Sequence, residues 1–343
     1  MGLVRWWRSR TRLGRLQRAR EARVDRAVQA VVDAVDPRMR GLSGYRRKLA
    51  PAIEKAARYA GELADALPPP VEVARDRWAD DPVLRACFAS VDVMQEFFDN
   101  ERRLRKFLTG ADARGAERVF ATLGTRVQRT TRHGYSLQGE MVQRGLEQVG
   151  VGFVDLRIGE IARDETALRE GLQRRILGEL ATRALQRIMG MQTRKAALSE
   201  EQAVLRWKLK VYEMREQGVD TLWRDKSVYQ RHARDLRQRL DVTDANLDDL
   251  LMRAGNIEHF LDTTVEEFEK APDMISLEPT SLWLDNMNIE VDASAPRARE
   301  VSLMQVRMGK RRPRVVLPVT FDPAFPQVDT GAALRKAARA LGV

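Results

Sequence analysis

The sequence has little of the chemistry from which disulfides, metal sites and many catalytic sites are built. Its 343 residues contain one cysteine, Cys87, and three histidines, which are His133, His232 and His259. A single cysteine excludes an internal disulfide and fits a reducing compartment. One cysteine and three dispersed histidines do not supply the ligands of the usual structural zinc sites. None of the histidines follows a glutamate by three positions, so the helical di-iron pattern is also missing.

Long apolar runs and nucleotide-binding motifs are missing as well. Charged residues interrupt the chain well short of the roughly 18 apolar residues that a membrane span needs, and residues 1–12 lack the apolar core and cleavage site of a signal peptide. We therefore expect a cytoplasmic protein, with the inner face of the membrane as an alternative location. Residues 190–195 lack the glycine before the lysine of a phosphate-binding loop, and Asp155 replaces the third glycine of a dinucleotide motif in residues 150–155. The sequence therefore predicts no cofactor.

Two small groups of acidic residues remain as candidates for catalysis or metal binding. Glu258, His259 and Asp262 would lie together on a helix, where a carboxylate raises the basicity of an imidazole. A second acidic stripe, in residues 92–99, also follows helical spacing. Solvated helix faces with surface ion pairs explain both groups more simply, and Cys87 has the surroundings of a small core residue. Without a catalytic triad or a set of metal ligands, we expect a protein that is not an enzyme and holds no metal.

Positive charge is concentrated in one part of the chain. Of the 60 basic residues only ten are lysines, a skew that we interpret as the codon usage of a GC-rich bacterium. Residues 1–60 hold sixteen basic and five acidic residues, which accounts for the whole net charge of +11. Residues 241–292 hold fourteen acidic and two basic residues, whereas residues 297–314 hold seven basic residues and one acidic residue. Such blocks indicate an external partner of opposite sign or docking of one block on another.

The candidate binding residues belong to two basic segments. The first is the N-terminal arm, residues 3–20, which has seven arginines, two adjacent tryptophans and no acidic residue. The second is the basic tip, residues 309–314, which forms a turn between two predicted strands. Together the two segments predict an anionic-partner site made of Arg5, Trp6, Trp7, Arg8, Arg10, Arg12, Arg15, Arg18, Arg20, Lys310, Arg311, Arg312 and Arg314.

Three kinds of partner fit this chemistry. A basic amphipathic helix with tryptophans is typical of an anchor on an anionic membrane surface. Arginines also neutralise the phosphates of nucleic acid, on whose unpaired bases indoles stack, and a two-stranded ribbon with a cationic tip can enter a nucleic-acid groove. The third possibility is a protein partner with an acidic surface, or the chain's own segment 241–292. A charged tip also keeps an exposed hairpin soluble without binding anything.

The sequence therefore favours a non-enzymatic interaction protein, an adaptor or accessory subunit of a bacterial assembly. It would engage an anionic or acidic partner through its arginine-rich arm. The alternatives are a nucleic-acid-binding protein that uses the arm and the basic tip, and a peripheral membrane-surface protein.

Hydrophobic periodicity predicts long, bundle-like helices followed by a small antiparallel β meander, an α+β chain that is mostly α. Ser199 with Gln202, and Thr264 with Glu267, have the form of capping boxes and predict helix starts. After Pro272 the pattern alternates. Apolar residues at helical spacing predict helices over 3–34, 51–66, 82–108, 111–132, 136–148 and 164–240. Alternating runs at 281–284 and 288–291, then at 301–307 and 315–321, predict a three-stranded antiparallel meander, and residues 330–341 a closing helix.

This pattern divides the chain into three predicted domains. Residues 1–67 would form the basic N-terminal helical arm, and residues 71–271 a helical domain. Residues 272–343 would form a small β-rich module with a terminal helix. The three prolines at 68–70 make a stiff spacer between the first two.

Overall fold

The structure is a computed structural model that describes residues 20–138, 141–217, 226–254, 256–296 and 298–326. Helix accounts for more than half of this part of the chain, and its strands form one mainly antiparallel sheet. The coarse prediction of an α+β chain is therefore confirmed. The closing helix predicted at 330–341 lies outside the described residues.

The described helices and strands alternate in blocks along the chain. The helices are α1, described over residues 20–35, α2 (Tyr45–Asp65), α3 (Pro82–Cys87), α4 (Val91–Asn100), α5 (Arg102–Leu108), α6 (Glu165–Gln217), α7 (Lys226–Ala254), α8 (Ile257–Glu269) and α9 (Ala271–Met274). The strands are β1 (Val71–Glu72), β2 (Val119–Gln138), β3 (Met141–Ala162), β4 (Ile275–Leu284), β5 (Arg299–Met308) and β6 (Arg314–Phe321).

The largest departure from the sequence analysis lies in residues 119–162. The predicted helices at 111–132 and 136–148 are wrong, because β2 and β3 occupy this region as a long antiparallel hairpin. The strands pair from Phe120 opposite Ala162 to Gln138 opposite Met141. The expectation that strands concentrate after residue 272 is therefore wrong as well. The physical reason is that β2 contains four threonines and two valines, which favour strands, and that local spacing does not record which strands pair.

The predicted C-terminal meander is confirmed. Strands β4, β5 and β6 pair antiparallel in sequence order, with Leu282 opposite Val301 and Gln305 opposite Val315. The meander is not an isolated sheet, because the strand order is β3-β2-β6-β5-β4, with β1 parallel to β6. Strand β6 thereby brings the C-terminal strands and the β2–β3 hairpin into one sheet.

The chain forms two compact units, each built from segments that are distant in sequence. The first unit contains the described residues up to Ala57 and those within Ile176–Ala271. The second unit contains Arg58–Arg175 and the described residues from Pro272 onward. The predicted division into three domains, at 68–70 and at 271–272, stays a prediction.

The second unit has an apolar core built on its sheet. Val119, Ala121 and Leu123 of β2 are buried. They belong to one apolar cluster with side chains of α3, α4 and α5. Phe98 of α4 is fully buried, and its ring lies 5.2 Å from the ring of Phe321 at the end of β6. This cluster anchors the base of the β2–β3 hairpin.

In the first unit, α6 and α7 pair as antiparallel helices. Arg237 of α7 contacts Glu213 of α6 at 2.7 Å, whereas Arg206, earlier on α6, contacts Asp244, later on α7, at 3.7 Å. This reversed order of contacts fixes the antiparallel direction. Leu205 of α6 is buried, as are Ala233 and Leu236 of α7.

Both capping boxes proved to be interior residues of longer helices. Ser199 lies within α6, where its hydroxyl donates to the carbonyl of Lys195 at 3.0 Å. Thr264 lies within α8 and donates to the carbonyl of Phe260 at 2.7 Å. The predicted helix starts are therefore wrong. Within a helix, a serine or threonine hydroxyl can donate a hydrogen bond to a backbone carbonyl of the preceding turn. The capping pattern alone therefore does not identify the N-terminus of a helix.

Asp36 gives a test of local stability with a definite pH dependence. Its carboxylate caps the short 3₁₀ helix Pro37–Gly41, accepting from the Arg38 backbone N–H at 2.9 Å and from the Arg38 guanidinium. These hydrogen bonds lower the pKa of Asp36. The charged carboxylate of Asp36 therefore contributes to the free energy of unfolding at pH values above the ordinary carboxyl pKa of about 3.9. This contribution is lost as the pH falls through the lowered pKa of Asp36.

We expect Asp36→Asn to reduce the free energy of unfolding by about 0.5–1 kcal/mol at neutral pH, since asparagine keeps the cap but loses the charge. The difference between variant and parent should shrink as the pH falls through the lowered pKa of Asp36, because the carboxylate becomes protonated there. Urea titrations at several pH values measure both quantities. A difference that persists in acid would show that the charge is not responsible.

Candidate anion-binding site

Most of the predicted N-terminal binding residues lie outside the described residues. These are Arg5, Trp6, Trp7, Arg8, Arg10, Arg12, Arg15 and Arg18. Arg20, the last residue of the arm, is described and forms an ion pair with Glu54 of α2. The predicted function of the arm therefore remains a prediction, with its last arginine engaged inside the first unit.

The basic tip lies between β5 and β6, as predicted. Gly309 opens the turn with φ of +54°, a conformation that glycine adopts without steric cost. Its N–H donates to the carbonyl of Met274 at 2.7 Å, which ties the start of the tip to the end of α9. Lys310, Arg311 and Arg312 are exposed. The tip is thus a fixed turn that presents cations to solvent.

Strand β3 supplies an acidic residue that orients two arginines beside the tip. Asp155 has φ of +54°, at an irregular part of the β2–β3 pairing where the register shifts between Gly124 and Arg126. Its carboxylate lies 3.2 Å from the guanidinium of Arg126 and 3.8 Å from that of Arg314. One negative charge is therefore shared by two arginines, so the cluster keeps an excess of positive charge.

Arg126 and the basic tip line the same groove. The groove has a volume of about 340 Å³ and is lined by Arg126, Val127, Gln128, Gln305, Arg312 and Pro313. The two arginines offer planar sets of N–H donors, and the two glutamines offer amide groups. Guanidinium groups with neighbouring amides are suited to phosphate and other oxyanions, which accept several hydrogen bonds at once.

The β2–β3 hairpin continues past the groove as a two-stranded ribbon. Strand β6 pairs with β2 only from Val119 to Thr125, whereas β2 and β3 pair as far as Gln138 and Met141. Near the start of this ribbon, Arg129 donates to both carboxylate oxygens of Glu290, at 2.9 and 3.2 Å. These hydrogen bonds raise the pKa of the Arg129 guanidinium.

The Glu258–His259–Asp262 group has the geometry of a solvated helix face. It lies on α8, where Glu258 and Asp262 are exposed and His259 is half-buried. The carboxylate of Asp262 lies 3.3 Å from the ammonium group of Lys48 in the same unit. This contact joins one residue of the basic block 1–60 to the acidic segment 241–292, and it occupies the carboxylate with a surface ion pair.

The acidic stripe on α4 is also engaged in ordinary contacts. Asp92 pairs with Arg75 at 3.0 Å, and the carboxylate of Asp99 accepts a hydrogen bond from Gln95 at 2.9 Å. Within the described residues, no group of three or more histidine, cysteine, aspartate or glutamate side chains is arranged to hold a metal ion. Cys87 is buried, and burial raises the pKa of its thiol to about 12. Cys87 is therefore part of the apolar core, as the sequence predicted.

The sequence analysis identified the cations of the tip but missed the rest of the groove. Arg126 and Gln128 are far from the tip in sequence, and the glutamines Gln128 and Gln305 carry no charge that would have drawn attention to them. A helical assignment of residues 111–132 also gave Arg126 no relation to the C-terminal strands. The signal that could have found it is the alternation of Val119, Ala121 and Leu123, which predicts a strand and places Arg126 just beyond its buried part.

Comparison with known proteins adds no relative: no family model, curated protein or solved structure matches this chain. Across the described residues, no helix combines the length and the apolar character needed to cross a membrane. The functional argument therefore rests on the groove, the tip and the distribution of charge.

Proposed function

We propose that this chain is a non-enzymatic interaction protein, an adaptor or accessory subunit, that engages an anionic partner through its arginine-rich arm and the cationic groove. The observation that supports this most directly is the meeting of Arg126 and Arg312 in one groove. They come from parts of the chain that are distant in sequence and share a surface with Arg314 and the exposed tip. A surface of this kind attracts an anion by Coulomb forces and binds it by charge-assisted hydrogen bonds.

An external partner is favoured over self-docking of the arm, because acidic residues of segment 241–292 already have cationic partners. Asp244 contacts Arg206, and Asp262 contacts Lys48. Near the end of the segment, Glu290 binds Arg129 through both oxygens. Further pairs of this kind are Arg187 with Glu266, Lys270 with Glu266, Arg183 and Arg187 with Glu267, and Arg307 with Glu278. A carboxylate that is already paired in this way is less available to form an ion pair with an arginine of the N-terminal arm.

Nucleic acid is the second candidate and the anionic partner that the groove favours. A phosphodiester backbone presents a row of anions that can contact the groove and the tip in succession. The amides of Gln128 and Gln305 provide further hydrogen bonds to phosphate, sugar or base edges. Binding to a membrane interface, in contrast, requires apolar side chains that insert between lipids, whereas four of the six residues that line the groove have polar side chains.

Removing the arm tests the first part of the proposal. Deletion of residues 1–19 takes away six arginines and both early tryptophans, and it leaves the Arg20–Glu54 pair in place. We expect affinity for a 20-base-pair duplex to fall at least about tenfold at low salt, because the deleted arginines no longer contact phosphates. The slope of log K against log salt concentration should become shallower by roughly 0.9 for each phosphate contact that is lost. Fluorescence anisotropy at several NaCl concentrations measures both the affinity and the slope. The melting temperature should stay unchanged.

Two other outcomes would contradict this expectation. If Trp6→Ala with Trp7→Ala weakens binding to anionic vesicles at high salt, while duplex binding is unaffected by the deletion, the arm is a membrane anchor. If the deletion lowers the melting temperature at low salt and less so at high salt, the arm docks on its own chain.

A further inference from the structure

Helix α6 is apolar on two opposite faces between residues 204 and 214. On its inner face Leu205 is only 3% exposed, and Arg206 and Glu213 contact α7 on this side. On the outer face Val204, Trp207 and Met214 are 45, 66 and 65% exposed. At 100° per residue, Leu205 lies about 160° around the helix from Trp207, so the inner contact does not cover the outer residues.

The outer residues have the spacing of a helix–helix seam. Val204, Trp207, Val211 and Met214 follow one another at intervals of three, four and three residues, which is the a/d pattern of a coiled coil. We call these four residues the α6 seam. An a/d pattern forms a narrow apolar stripe, whereas a helix that lies in a membrane interface has a broad apolar face. The geometry of the seam therefore fits another helix better than a lipid surface.

The flanks of the α6 seam are basic. With Val204 and Val211 at a positions, the flanking e and g positions hold Lys208 and Lys210, both of which are exposed. In coiled coils these flanking positions select the partner, because they contact the corresponding positions of the facing helix. Two lysines here disfavour a basic helix and favour one with glutamate or aspartate at the facing positions.

The flanking charge also excludes the obvious occupants from this chain. A second copy would bring the lysine flanks of two α6 seams together, which costs electrostatic free energy. The N-terminal residues 1–19 contain no acidic residue, and residues 327–343 contain one acidic and three basic residues. Neither end of the sequence has the charge that the seam requires.

We propose that the α6 seam binds an acidic amphipathic helix of a partner protein. Trp207 would be the central anchor, since a large aromatic side chain that becomes buried contributes most to such an interface. Lys208 and Lys210 would form the flanking ion pairs that select acidic helices over basic ones. This surface lies in the first unit, and the α6 seam shares no residue with the cationic groove.

Two synthetic 21-residue helices test this inference on the full-length protein. Both carry leucine at a and d positions; one carries glutamate at every e and g position, and the other carries lysine there. We expect the labelled acidic peptide to bind in fluorescence anisotropy, and Trp207→Ala to weaken it at least about tenfold, the loss of a central aromatic anchor. Val242→Ala on α7, where the parent side chain is 58% exposed, is the matched control and should change nothing.

Charge reversal gives the sharper result. The double variant Lys208→Glu and Lys210→Glu should lose the acidic peptide and gain affinity for the basic one, while circular dichroism shows an unchanged helix content. Equal binding of both peptides by the parent protein would overturn the proposal, as would acidic-peptide binding that survives Trp207→Ala. Binding of anionic vesicles that depends on Trp207, without binding of the acidic peptide, would overturn it in favour of a membrane surface.

Discussion

Replacing Arg126 and Arg312 together by glutamate is expected to reduce affinity for duplex DNA by about a hundredfold or more near physiological salt. The physical reason is that both guanidinium groups line the same groove, so the double variant replaces two attractive charges with two repulsive ones. The salt slope of binding should fall by about 0.9 for each phosphate contact that is lost. Anisotropy titrations with a 20-base-pair duplex between low and high NaCl measure both effects.

A variant of equal net charge separates the groove from overall electrostatics. Arg231→Glu with Arg234→Glu changes two exposed arginines of α7, in the first unit, by the same total charge. If the two double variants lose equal affinity, binding depends on net charge alone and the groove is not the site. Arg126→Gln with Arg312→Gln removes the charges without repulsion and should give a smaller loss than the glutamate pair.

The Arg126 variants also need a stability control, because Arg126 pairs with Asp155 at 3.2 Å. Both partners are partly exposed, so loss of this pair should cost at most about 1 kcal/mol. Thermal unfolding of the purified variants measures this cost. A variant that melts like the parent and still loses duplex binding has lost a binding contact and not its fold.

The largest effect on stability is expected for Phe98→Ala, which should reduce the free energy of unfolding by about 3–5 kcal/mol. Phe98 is fully buried, and its ring centroid lies 5.2 to 6.2 Å from those of Phe88, Phe97, Phe321 and Phe325. Truncation removes the transfer free energy of the ring and leaves a cavity that the neighbouring rings cannot fill without moving. Aromatic edge contacts add to the loss.

Two positions on the same helix serve as comparisons. Val93 is 47% exposed, and its substitution by alanine should change stability by no more than about 0.5 kcal/mol. Phe97 is only partly buried, so Phe97→Ala should fall between the two. Urea titrations followed by circular dichroism give the three values. A loss below about 1 kcal/mol for Phe98→Ala would mean that this aromatic cluster does not support the second unit as its packing indicates.

Features that depend on neighbours in sequence could be predicted without the structure. Helix α2 was predicted at 51–66 and occurs at Tyr45–Asp65, because each helical hydrogen bond joins residues four apart. The β4–β5–β6 meander and the basic tip were predicted for a similar reason, since short turns join consecutive antiparallel strands. The burial of Cys87 followed from its apolar neighbours.

Features that depend on distant pairing were decided by the tertiary structure. The β2–β3 hairpin was predicted as two helices, and the capping pattern at Ser199 marked the interior of α6. In both cases the local sequence is compatible with two conformations, and contacts with residues distant in sequence decide which one forms.

The groove shows the same division between local and distant information. The sequence by itself determined that the chain carries its excess positive charge near the N-terminus and a second cationic segment at 309–314. Only the tertiary structure placed Arg126 and Gln305 beside Arg312, because β6 pairs with β2 on one side and with β5 on the other. Backbone hydrogen bonds between strands far apart in sequence create this neighbourhood, and no local spacing of residues records which strands will pair.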